Sequence, residues 1–139
     1  MNQIELIHQR LADAGGLPAV LVAGWDIFDL IAAGCSASAG ESPDLYPAFT
    51  FPQGAAVSGR NAIAFAPSMP PSQGGAAHGP PKPAGDVYEI AGTLAGLASA
   101  LSMRLRKEGQ LAAAAADRSA CENAASEAER ITQLLAEGN

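Results

Sequence analysis

Ile4, Ile7 and Leu11 recur at three- and four-residue steps near the start of the chain, behind an Asn2/Glu5 pair spaced as a capping box. The pattern predicts a short amphipathic helix. Gly15 and Gly16 should end it, because glycine accepts the left-handed backbone that commonly closes a helix. Pro18 suits the first turn of a second helix, where its missing N–H leaves no hydrogen bond unmade. The positions Leu21, Trp25, Phe28, Ile31 and Cys35 share one face of that helix, so it is expected at the centre of the core with Asp26 and Asp29 on its polar side. Between 43 and 65, Leu45, Ala48, Phe49, Ala56 and Ile63 fit a helical face while Pro47, Pro52, Gly54 and Gly59 interrupt it. A kinked helix is expected there. A strand at Phe49 to Phe51 is the competing reading, but no second strand exists to pair with it.

From Pro67 to Gly85 six prolines and several glycines remove any periodic apolar face, which predicts a flexible crossover loop over 67–85. Beyond it the helical signal returns. Asp86 and Glu89 form a second possible capping box, and Val87, Ile90, Leu94, Leu97 and Leu101 repeat in heptad fashion over a helix expected to reach about Lys107. Gly92, Gly96, Ala91, Ala95 and Ala98 flank this stripe, so another helix can approach it closely. Gly109 should mark the turn into a last helix, whose stripe is Cys121, Ala125, Ala128, Ile131 and Leu135, beginning either in the Ala112 to Ala116 run or at Asp117 as a cap. The expected fold is therefore all-α: a single domain built as an irregular four- to five-helix bundle. Its parts are N-terminal helices over 1–66, the Pro/Gly-rich crossover over 67–85, and a C-terminal antiparallel helical hairpin over 86–137.

Composition changes this picture in one respect. The 139 residues include 31 alanines but only 28 of Leu, Ile, Val and Phe together, so the core must be built largely of methyl groups that each bury little area. Close packing or self-association is the expected supplement. In its alanine content the chain resembles small Ala-rich bacterial proteins, a resemblance that names no family and assigns no residue a role.

Charge narrows the partners. With 8 Lys plus Arg against 14 Asp plus Glu, and a net charge of -6, the chain lacks the basic footprint of a nucleic-acid binder. The one basic cluster, Arg104, Arg106 and Lys107, is expected near a helix C-terminus, where it complements the dipole. MNQIELIHQR has no cationic leader before an apolar run, and the apolar stretch from Leu17 to Cys35 carries two aspartates. Both point to a soluble, cytoplasmic protein that does not engage a membrane, with Cys35 and Cys121 as free core thiols.

The candidate chemistry is sparse. Gly54, Gly59, Arg60 and Asn61 stand at P-loop spacing, but Arg replaces the lysine and Asn the magnesium-ligating hydroxyl, so tight helix packing by the glycines and a solvated Arg60 is the better expectation. Asp26 and Asp29 lie on adjacent turns, as paired acids of magnesium-dependent helical hydrolases do. Without matching acids from a facing helix, two solvated carboxylates are favoured. His8 and His78 have no ligand spacing, and no metal or cofactor is expected. Two functions remain. The preferred one is a non-enzymatic protein that forms a homodimer, or binds a protein partner, through Val87, Ile90, Leu94, Leu97 and Leu101. The alternative is a small-molecule or nucleotide-type site between the second helix and the Arg60 segment, with Trp25, Asp26, Asp29, Tyr46 and Arg60 as contacts.

Overall fold

The computed structural model describes residues 3–41, 46–70 and 87–137, and among these the chain forms five helices and no strand. They are α1 (Gln3–Asp13), α2 (Leu17–Glu41), α3 (Tyr46–Ala64), α4 (Val87–Leu111) and α5 (Ala115–Glu137). The all-α reading holds. Gly16, at φ 103°, takes the left-handed conformation that separates α1 from α2, and its carbonyl accepts the first helical hydrogen bond from Val20. Pro18 falls in the first turn of α2, where the sequence places it.

α2 is buried on far more than one face. Val20, Leu21, Ile27, Phe28, Leu30, Ile31 and Cys35 are all inside, because α1, α3 and α4 pack around it. Trp25, expected within the central stripe, is only partly buried at its edge. α3 packs on α2 and α5, and α5 packs on α4, while α3 and α4 do not touch among the described residues. α3 continues through Pro52, which is itself buried. Across the α2/α3 contact, Phe28 lies beside Gly59 and Ile63 beside Gly24, so the two helices run in opposite directions. A side chain at Gly59 would collide with the Phe28 ring, whose Cε2 stands only 2.8 Å from where a β-carbon would have to sit. Glycine is required there by the neighbour rather than by the backbone.

α4 and α5 also run in opposite directions, since Gly109 meets Cys121, Arg106 meets Glu129 and the Ala95 carbonyl meets Thr132. One expectation needs correction: α4 extends to Leu111, so Gly109 lies inside it and marks a close approach, with a β-carbon there 3.0 Å from that of Cys121. Of the two starts left open for the last helix, the structure takes the one in the alanine run, at Ala115. Asp117 has a different duty: its carboxylate accepts hydrogen bonds from the Ser68 N–H at 2.9 Å and the Ser68 hydroxyl at 2.6 Å, which fixes the turn after α3 against α5. Residues 67–70 of the expected crossover form this turn. The remainder up to 85 lies outside the described residues.

The supply of apolar surface is met by close packing. Alanines of α2, α3, α4 and α5 are buried among the larger side chains, and Leu94, Leu97 and Leu101 are covered within the single chain. Each Leu or Phe so buried contributes about 1.5–3 kcal/mol. The small residues contribute by letting backbones come near enough for dispersion contacts to accumulate.

Candidate functional site

The sequence places Trp25, Asp29 and Arg60 in different segments, and the antiparallel α2/α3 contact brings them together. The Arg60 Nη1 donates to Asp29 Oδ1 at 2.7 Å, and its guanidinium carbon stands 5.4 Å from the centroid of the Trp25 ring. The cation is thus engaged by a carboxylate and an aromatic face together, and about 29% of its side chain remains exposed. Arg60 is not the solvated charge expected. Gly54, Gly59, Arg60 and Asn61 all lie within α3, where backbone amides serve the helix and form no phosphate cradle.

Asp26 does not join this cluster. It is buried, at 4% exposure, and accepts a hydrogen bond from Arg10 Nη2 of α1 at 2.9 Å. The expectation of two solvated acids therefore fails for Asp26, because α1 covers that side of α2 and supplies the counter-ion that its burial requires. The two carboxylates face different arginines on different helices, so they do not converge on a shared ion. Tyr46 opens α3, and its side chain lies outside the described residues. Among the described residues no three His, Cys, Asp or Glu side chains are grouped closely enough to hold a metal ion.

Arg104, Arg106 and Arg118 serve the fold. Arg104 is not near the end of its own helix: its Nη2 donates to the Ala14 carbonyl at 2.5 Å, just past the end of α1, while its Nε reaches Glu108 at 3.3 Å. It complements the negative pole of another helix. Arg106 pairs with Glu129 at 2.8 Å, and this partner holds the Glu129 carboxyl below its usual range. Arg118 donates to the carbonyls of Ala112 and Ala113 in the α4/α5 connection. Burial pushes the Cys35 thiol up to about 12 and that of Cys121 up to about 11, which leaves both protonated and unreactive near neutrality.

Two kinds of surface remain. A shallow open groove of about 510 Å³ runs between α1 and α2, lined in part by Leu6, Arg10, Asp13, Ala19, Val22 and Ala23. Elsewhere, outward helix faces carry large apolar side chains. On α4, Tyr88 is 56% and Met103 72% exposed, and Gly92 and Gly96 lie between them with nothing within 4 Å of where a side chain would start. At 100° per residue these four positions share about 80° of arc.

This is the face of α4 opposite to the one that the sequence singles out. Leu94, Leu97 and Leu101 are interior, Ile90 is half-buried against the core, and Val87 begins the helix with its side chain outside the described residues. The three leucines are therefore not free to meet a second copy: α5 and α2 cover them, because alanine and glycine allow close approach. Asp117, Arg104 and Arg10 are polar residues whose tertiary roles the periodicity did not reveal. The chain matches no known protein family, no curated protein and no solved structure, so its function must be argued from this geometry.

Proposed function

We propose that this chain is a non-enzymatic helical module that self-associates through its C-terminal half, using the outward face of α4. The observation that carries the reading is the arc of Tyr88, Gly92, Gly96 and Met103: two large exposed side chains flank glycines that admit a second helix closely. We read the architecture as an irregular bundle in which α2, α3, α5 and α4 form a ring, α4 and α5 make an antiparallel hairpin, and α1 braces α2 and α4. Buried free thiols and an α2 whose two aspartates are paired inside the fold support a soluble, cytoplasmic setting. By length and composition α2 is apolar enough to cross a membrane, but more than half of that stretch is buried by its own chain.

The ligand-site alternative has less support, because Arg60 already has its anion and its aromatic face. Sedimentation at tens of micromolar tests the proposal. The wild type should exceed the 14.0 kDa monomer, and the exposed pair Gly96→Glu and Met103→Glu should lower the mass without changing the helical spectrum. A wild type that sediments only as a monomer overturns it.

A further inference from the structure

Among the described residues, α1 is the helix on which the others depend least. α2 touches α3, α3 touches α5, α5 touches α4 and α4 touches α2, whereas α1 touches only α2 and α4. Its 11 residues fall short of the length, about 12–15 residues, at which an isolated helix becomes even marginally stable in water. Its hold on the body is small. Ile7 and Leu11 are buried, Ile4 is partly buried, Arg10 pairs with Asp26, and Arg104 takes the Ala14 carbonyl. The groove lined by Leu6, Arg10, Ala19, Val22 and Ala23 leaves the α1/α2 contact open along one side. Gly15 and Gly16 form the hinge, and a β-carbon at either would meet nothing within 4 Å, so neither is wedged against a neighbour.

We propose that α1 is an exchangeable strap: it lifts at Gly15 and Gly16 while α2 to α5 stay folded, and the seat it leaves accepts the α1 of a second copy. The seat selects its occupant. Asp26 is 4% exposed among buried apolar residues of α2, so a filler must bring apolar side chains and a positive charge together. α1 brings both, with Arg10 set between Ile7 and Leu11 in the sequence. Every copy carries the identical strap, so exchange restores each contact of the closed form and asks for no new complementarity. Closure within one chain has the advantage of a short tether, which keeps the exchanged form minor at micromolar concentration. Gly16 sustains that closure, because its φ of 103° is one that residues with a side chain rarely adopt.

Charge reversal between chains tests the exchange. In Arg10→Asp the strap no longer matches its own Asp26, and in Asp26→Arg the seat no longer matches its own Arg10. Both are made together with Gly96→Glu and Met103→Glu, so that pairing through α4 has no part in the outcome. Each chain alone should sediment as a monomer of about 14.0 kDa. Mixed at tens of micromolar, they can re-form both ion pairs only between copies, and a heterodimer of twice that mass should appear. Gly16→Ala in the same α4 background needs no change at the seat. It strains the closed turn in both copies, and at about tenfold per hinge should raise the dimerisation constant on the order of a hundredfold. In hydrogen exchange of the wild type, the Arg10 and Leu11 amides should be roughly a hundredfold less protected than those of Ile27 and Leu97. A mixture that stays monomeric while both chains keep their helical spectra, or a Gly16→Ala chain with no more dimer than its parent, overturns the exchange. Arg10 and Leu11 amides as protected as that of Ile27 overturn the independent opening.

Discussion

Gly59 and Asp26 show how much a single position depends on its neighbour. In an isolated helix, alanine is favoured over glycine by roughly 1 kcal/mol. Gly59 reverses that preference because the Phe28 ring occupies the space of a β-carbon. Gly59→Ala is therefore expected to destabilise the fold by about 1–3 kcal/mol in urea titration, the usual range for overpacking. Gly54→Ala, with open space around it, should be neutral or stabilising. The ion pairs differ in the same way. Arg106 and Glu129 are both more than 40% exposed, and Arg106→Ala should cost less than about 1 kcal/mol. Arg10→Ala leaves the buried Asp26 carboxylate without its partner and should cost about 1–3 kcal/mol, moderated by water entering where the half-exposed Arg10 stood. Equal losses in the two variants would refute this distinction.

At the scale of elements, the helices are joined by polar clasps at their ends. Arg104 of α4 reaches the carbonyl after α1, Arg118 of α5 reaches the carbonyls after α4, and Asp117 of α5 takes the Ser68 amide and hydroxyl after α3. Each satisfies backbone groups that a helix end leaves open or ties down the segment that follows. The Asp117 clasp can be dissected. Asp117→Ala removes both bonds and should strip the Ser68 amide of protection in hydrogen exchange, with a global loss of about 1–3 kcal/mol. Ser68→Ala keeps the amide bond, so protection should persist and the loss should be about 1 kcal/mol. An unprotected amide in Ser68→Ala would show that the hydroxyl, rather than the backbone donor, anchors the turn.

For the whole molecule, two buried thiols set an alkaline limit on stability. Unfolded, each loses its proton near its ordinary value of 9.0. Folded, burial holds Cys35 up to about 12 and Cys121 up to about 11. Below pH 9 both states keep the proton and the stabilisation is complete. Between pH 9 and 11–12 the unfolded state binds fewer protons than the folded one, so stability falls as pH rises, by at most about 1.4 kcal/mol per pH unit for each thiol. Urea midpoints measured from pH 8 to 11 should decline, and Cys35→Ala with Cys121→Ala should flatten the slope. An unchanged slope in the double variant would assign the alkaline loss to other groups.

The sequence by itself determined the helical class and much of the core. Periodic stripes of Ile, Leu and Phe, a glycine after α1 and a proline at the start of α2 are local signals, because helix geometry repeats every few residues and caps act within one turn. Leu94, Leu97 and Leu101 were legible as a buried stripe for that reason. Whether that stripe faced a second copy or the chain's own α5 was not legible, since periodicity names a face but not what covers it. The same holds for the charges: Asp26 and Asp29 read alike in sequence, and only the packing of α1 against one side of α2 and α3 against the other gave them separate arginines and different burial. The outward face of α4 likewise emerged only after the core was filled, because exposure is what remains when every other contact has been made.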